Sequence, residues 1–140
     1  MKAAEITEDR KEALLARIRG CLEKRLDIVF AYVHGSFALH ESFNDIDIAV
    51  FFDSAPDSPL QIELLLEAEL GNAVRDFPVD VRVLNNSPLS FRYNVIRFGR
   101  PLFINDDDIR SDFVEAAIRN YLDFAPFRRM YLKETLGLAI

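Results

Sequence analysis

The chain has no tryptophan, one cysteine, and only 5 glycines and 6 prolines. A lone Cys21 cannot close an internal disulfide, so a core rather than cross-links must hold the fold, and a reducing compartment is expected. With so little glycine and proline and no internal repeat, collagen-like and low-complexity architectures are excluded. The apolar runs fall well short of the ~20 residues that a membrane helix needs. The opening MKAAEITEDRKEALL is charged and polar with no apolar segment, so no signal peptide is visible. Positive charge is also scarce: 17 Lys and Arg face 23 Asp and Glu, a net charge of -6. Non-specific nucleic-acid binding works through Lys and Arg on phosphates, so that class is disfavoured. What is present is 50% hydrophobic and 29% charged over 140 residues. That is ordinary globular composition, and a single cytoplasmic domain spanning 1–140 is expected.

Residues 8–26 read as an amphipathic helix, with Leu14, Leu15, Ile18, Cys21, Leu22 and Leu26 on one stripe and Arg17, Arg19, Glu23 and Lys24 outside it. Cys21 is then a core thiol. Asp27–His34 (DIVFAYVH) reads as a buried strand that runs straight into Gly35-Ser36, with Phe37–His40 starting a short helix. Asp45–Phe52 (DIDIAVFF) begins in strict alternation and turns continuously apolar, as a central strand does. Further along come a helix over 60–75, a strand Val79–Leu84, a helix over 89–98 and a strand Pro101–Ile104. A last helix over 109–136 is expected to kink at Pro126. This alternation predicts an α/β (α+β) fold, a small mixed sheet packed with helices.

Three acids stand out. Asp45 and Asp47 are i and i+2 on one strand, which puts both carboxylates on one face about 6.5–7 Å apart. Asp80 lies on another strand between Val79 and Val81. An unpaired buried charge costs several kcal/mol, so acids on apolar strands call for a partner. A divalent cation meets that need, and Mg²⁺ takes oxygen ligands that it shares with substrate phosphates. Gly35-Ser36 supplies the other half. Glycine lets the backbone approach a ligand, and the serine hydroxyl adds a donor to a phosphate. Strand, Gly-Ser, helix, then a strand bearing Asp-x-Asp together offer a nucleoside-triphosphate site.

The segment HGSFALHESFNDIDIAV, residues 34–50, resembles the signature of the nucleotidyltransferase superfamily related to DNA polymerase beta, and Asp80 in FPVDVRVL matches that family's third acid. The motif core covers about residues 27–84. The short length and the helical part at about 106–138 are similar to the minimal members encoded beside HEPN-domain partners as toxin–antitoxin pairs. The resemblance implies an Mg²⁺-dependent enzyme with ATP as donor. Asp45 and Asp47 would hold two Mg²⁺ ions, while Asp80 would complete the second site and help deprotonate the acceptor hydroxyl. Gly35 and Ser36 would grip the phosphates. The implied acceptor is a tyrosine on a HEPN-domain protein encoded nearby, whose toxicity the transferred AMP neutralises. No membrane partner is implied.

The sequence departs from the minimal-family pattern in the same loop. Leu39 stands where an Arg is usual, His40 where a Gly is usual, and Asn44 where a Ser is usual. Only eight residues separate Ser36 from Asp45, a shorter spacer than the family's. His40 is the candidate replacement donor to the nucleotide. Two rival functions follow: a nucleotidyltransferase acting on a small molecule, and a nucleotide-binding module that holds its partner without turnover.

The plain structural readings are these. The three acids pair with Arg82, Arg92 or Arg97, and Gly35-Ser36 is an ordinary turn with a serine cap. His34 is a satisfied histidine at a strand end. Asp106–Asp108 cap a helix, since the spacing of a calcium loop is absent. Arg92, Arg97 and Arg100 are solvated, or grip nucleotide or acceptor. The tail stripe of Tyr121, Phe124, Phe127, Met130 and Tyr131 packs mostly on the sheet, part of it a candidate interface in a homo- or hetero-oligomer.

Overall fold

The β-branched and aromatic runs become strands and the stripes at three- and four-residue steps become helices. The computed structural model describes residues 4–39 and 42–136. In chain order the elements are β1 (Ala4–Glu5), α1 (Glu8–Leu22), β2 (Ile28–His34), α2 (Gly35–Leu39), β3 (Ser42–Phe43), β4 (Ile46–Phe52), α3 (Pro59–Val74), β5 (Val79–Val83), α4 (Leu89–Phe98), β6 (Arg100–Ile104) and α5 (Asp107–Leu136). The expected order holds, with two additions. β1 and β3 form a separate antiparallel pair, and two-residue strands are too short to leave a periodic trace.

The main sheet runs β5-β4-β2-β6. β4 and β5 are parallel, and α3 is the crossover that a parallel pair requires. β2 pairs antiparallel with both β4 and β6. One face of the sheet carries Ala31, Val33, Ile46, Ile48, Val50, Val79, Val81 and Val83 into a core with Leu14, Leu15, Ile18 and Leu22 of α1 and Leu66, Leu70 and Val74 of α3. The opposite face carries Phe30, Tyr32 and Ala49 into a smaller cluster with Val95 of α4, joined by Phe51, Phe91 and Phe113. There Phe30 and Phe51 stack at 4.9 Å, and Phe113 of α5 tilts onto both at 5.5 and 5.0 Å. Arg110 of α5 donates to the Tyr32 hydroxyl at 3.0 Å, tying the start of that helix to β2.

The helix ends follow local rules. The Thr7 hydroxyl caps α1 by accepting from Arg10 N, and the Ser58 hydroxyl caps α3 ahead of Pro59. Asp106 Oδ1 accepts from Ile109 N at 3.1 Å, so the acidic run is a cap and α5 starts at Asp107. As expected, α5 runs to Leu136 with Pro126 inside it. Two expectations are corrected. α1 ends at Leu22, so the stripe stops there: Leu26 is 93% exposed and Cys21 is only partly buried at the core's edge. The described side chains of the tail stripe are not part of the buried core. Tyr121 stacks on Tyr93 of α4 at 3.8 Å, whereas Phe124 and Met130 are half exposed. The side chains of Phe127 and Tyr131 lie outside the described residues.

Among the described residues no helix is long and apolar enough to cross a membrane.

Candidate active site

β2 ends at His34 and the chain turns at once into α2 through Gly35, whose φ is +72°. Only glycine adopts that backbone freely. A second demand falls on the same atom: a Cβ at position 35 would lie 2.1 Å from Asp47 Oδ2. The Asp47 carboxylate therefore packs directly on the glycine backbone. Ser36 is the second residue of α2 and is partly buried.

Register brings the acids together. His34 pairs with Asp47 across β2 and β4, and Asp47 pairs with Asp80 across β4 and β5. Directly paired residues project to one face, so His34, Asp47 and Asp80 form a row across three strands. It lies on the face that carries Phe30 and Tyr32, beyond the phenylalanine cluster at one end of the strands. Tyr32, Ala49 and Arg82 make the next row. Asp45 sits in the bend immediately before β4.

The electrostatics show that these groups feel one another. The Asp47 carboxyl is pushed up to about 6, first by its burial and then by the negative charges of Asp45 and Asp80, with Arg82 pulling the other way. Arg82 Nε lies 3.7 Å from Asp80 Oδ1, but both side chains are well exposed, so this pair is a weak counterweight. Burial holds the His34 imidazole below its usual pKa against the pull of Asp80 and Asp45. Its Nε2 is buried with no hydrogen-bond partner, and its ring meets the Phe91 ring edge-on at 5.5 Å.

Among the described residues no three His, Cys, Asp or Glu side chains gather into a ready-made metal cage. That does not exclude Mg²⁺, which keeps several waters and is usually held by one or two carboxylates plus substrate phosphates. Asp47 and Asp80 offer it hard oxygen ligands on one face, and Asp47, raised first by burial and then by like charge, is a carboxyl that a cation would favour ionised. Asp45, Asp47 and Asp80 are the residues that would hold it.

The arginines divide. Arg82 meets Asp80, whereas Arg97 donates to the Tyr93 hydroxyl and lies over the Phe98 ring, and Arg100 pairs with Glu12 at 2.6 Å. Arg92 Nε is buried with no hydrogen-bond partner. Leu39, in the arginine's place, is 53% exposed. His40 lies outside the described residues.

One supporting residue was missed. Lys11 is 5% exposed, and its Nζ donates to Phe37 O at 2.8 Å beneath α2, with the Phe37 and Phe43 rings 5.1 and 5.7 Å away. It holds the helix that carries Ser36. The signal was available: position 11 extends the α1 stripe of Leu14, Leu15, Ile18 and Leu22, where a lysine is out of place.

A sequence model of the family "Polymerase beta, Nucleotidyltransferase" matches residues 16–108, about two thirds of the chain. No match was found among curated proteins. Solved structures are similar throughout. One is the tri-AMPylated Shewanella oneidensis HEPN toxin in complex with MNT antitoxin, with TM-score 0.73, 20% identity, and 90% of this chain and 98% of that chain covered. A second is the toxin–antitoxin MntA-HepT, with TM-score 0.71, 20% identity, and 89% and 98% covered. A third is a toxin–antitoxin with AMP-PNP, with TM-score 0.66, 22% identity, and 93% and 99% covered. At these identities the likeness establishes the fold.

Proposed function

The chain belongs to the polymerase beta nucleotidyltransferase family, and on that premise we propose that it transfers AMP from ATP to a tyrosine hydroxyl on a HEPN-type partner protein, acting as that toxin's antitoxin. The observation that carries the reading is the row of Asp47 and Asp80 in register across two strands, with Asp47 packed on Gly35. The missing Cβ at Gly35 lets Asp47 pack on the turn, and the Ser36 hydroxyl is a donor to a phosphate bound beside it. Mg²⁺, held by Asp45, Asp47 and Asp80, would draw the triphosphate in and stabilise charge on the phosphoryl oxygens. Asp80 takes the proton of the acceptor hydroxyl. The acceptor oxygen bonds to the α-phosphorus as the bond to the bridging oxygen breaks, and pyrophosphate leaves. His34, held neutral by burial, adds no charge to the row.

The partner assignment is supported by similarity to chains from toxin–antitoxin complexes, one with an AMPylated toxin and one with AMP-PNP. The proposal places the protein in the cytoplasm, where its partner and ATP are. Leu39 and the short spacer after Ser36 favour one second reading, a nucleotide-binding module with little turnover.

The test uses ATP labelled on the α-phosphate, Mg²⁺, the purified chain and a lysate of its own cells, with D47N as control. Label on a discrete protein band, absent with D47N and with EDTA, is expected. Label confined to a small-molecule fraction moves the acceptor to that class. No label with ATP still bound establishes the binding module.

A further inference from the structure

α3 packs on the sheet through Leu66, Leu70 and Val74, on the face opposite the acid row. Its outer face is unlike that of an ordinary helix in water. Leu60, Leu64 and Leu65 are 65, 57 and 49% exposed, and Gln61, Ala68 and Asn72 beside them are exposed as well. The helix has no Lys or Arg, and two of its glutamates, Glu63 and Glu67, are turned to the backbone of β5. Glu69 alone among its charged residues is exposed, where a surface helix normally carries many charges. Gly71 adds a second anomaly. Glycine weakens a helix, yet a Cβ at this position would meet nothing within 4 Å, so the chain's own packing does not call for it.

We propose that this face pairs with α3 of a second copy of the chain, the two helices antiparallel about a two-fold axis. The side chains are sorted along the helix as such a contact requires. The leucines occupy the first half of the exposed face, and Ala68, Gly71 and Asn72 the second. At 3.6 residues per turn, Leu60, Leu64, Ala68 and Gly71 fall within about a quarter of the circumference. Turned end for end against itself, the helix sets Leu64 against Ala68 and Leu60 against Gly71 and Asn72, bulky against small. Charge selects the same occupant. Each copy carries a net charge of -6, so two copies repel unless they meet on a face without like charges, and this sector is one. A helix of 16 residues is about 24 Å long, so one helix face falls short of the ~800 Å² per partner of a standard interface. The pairing therefore belongs to the weak, concentration-dependent class. Because α3 and the acid row lie on opposite faces of the sheet, both copies keep their sites open. The pairing does not rest on the nucleotidyltransferase reading.

Sedimentation equilibrium of the purified full chain between about 1 μM and about 1 mM reads the pairing. A reversible monomer–dimer equilibrium is expected. Leu64→Glu should raise its dissociation constant about tenfold or more, with the Tm of dilute protein little changed because position 64 is exposed. Gly71→Leu is the sharper variant. It improves helix propensity and adds apolar surface, so indiscriminate hydrophobic association would tighten. A specific pairing instead loses the slot for Leu60 of the second copy, and the dissociation constant should rise about fivefold or more. Phe124→Glu, in the exposed half of α5, should change nothing. A chain that stays monomeric over the whole range overturns the proposal. So does tighter association in Gly71→Leu, or a dimer lost in Phe124→Glu but kept in Leu64→Glu.

Discussion

At Gly35 the backbone and the chemistry make the same demand. The positive φ disfavours any side chain, and a Cβ there would strike the Asp47 carboxylate. Gly35→Ala should cost on the order of 1–3 kcal/mol in thermal or denaturant unfolding and weaken AMP-PNP binding by calorimetry. Asp47 carries a pH signature. Its folded pKa of about 6 lies above the ordinary 3.8, so the protonated form suits the fold. That contribution is complete below 3.8 and is lost as pH rises through about 6. Asp47→Asn keeps the shape without the charge, so it should raise the Tm at pH 8 by about 2 °C or more and change it little at pH 4, while abolishing AMP transfer. Melting curves of both proteins across that range check it.

Among the elements, β5 is the exposed edge of the sheet, and α3 seals it. Val81 N donates to Glu67 Oε1 at 3.1 Å, and Val83 N to Glu63 Oε2 at 2.9 Å. This protects an edge that would otherwise offer free N–H groups to another chain, and it fixes the height at which Asp80 stands. Glu67→Ala should destabilise by about 1–2 kcal/mol in chemical unfolding and speed hydrogen exchange at the Val81 amide. The opposite edge, β6, is blunted by Pro101 and by Arg19 Nε, which donates to Leu102 O at 2.8 Å. In sequence Glu63 and Glu67 look like any solvent-facing glutamates of an amphipathic helix. Nothing local says that an i, i+4 pair will meet a strand's backbone.

For the whole molecule, charge organises the response to ligands. The chain carries a net charge of -6, and its clustered acids repel one another at the site. AMP-PNP with Mg²⁺ should therefore stabilise the fold more than either alone, by about 2.7 kcal/mol at a hundredfold excess over Kd, and EDTA should remove most of the gain. Differential scanning calorimetry with the four combinations reads this directly. The outer half of α5, with Leu122, Phe124 and Met130 half exposed, stands apart from that site and from the packed end that Phe113 and Arg110 anchor.

The sequence alone determined the alternation of helices and strands, because periods of two and of three to four residues record which face is buried. It also singled out Gly35, Ser36, Asp45, Asp47 and Asp80, because glycine before a short helix and acids on apolar strands conflict with ordinary packing. Periodicity reports a face but not a boundary or a neighbour. Leu26 fell outside the core once α1 ended early, and Phe124 and Met130 of the tail stripe are half exposed. Only the tertiary structure decided that Asp80 stands in register with Asp47 and that Lys11 lies under α2. Each of these depends on contacts between segments far apart in the chain, where strand order and helix docking, not local pattern, set the distances.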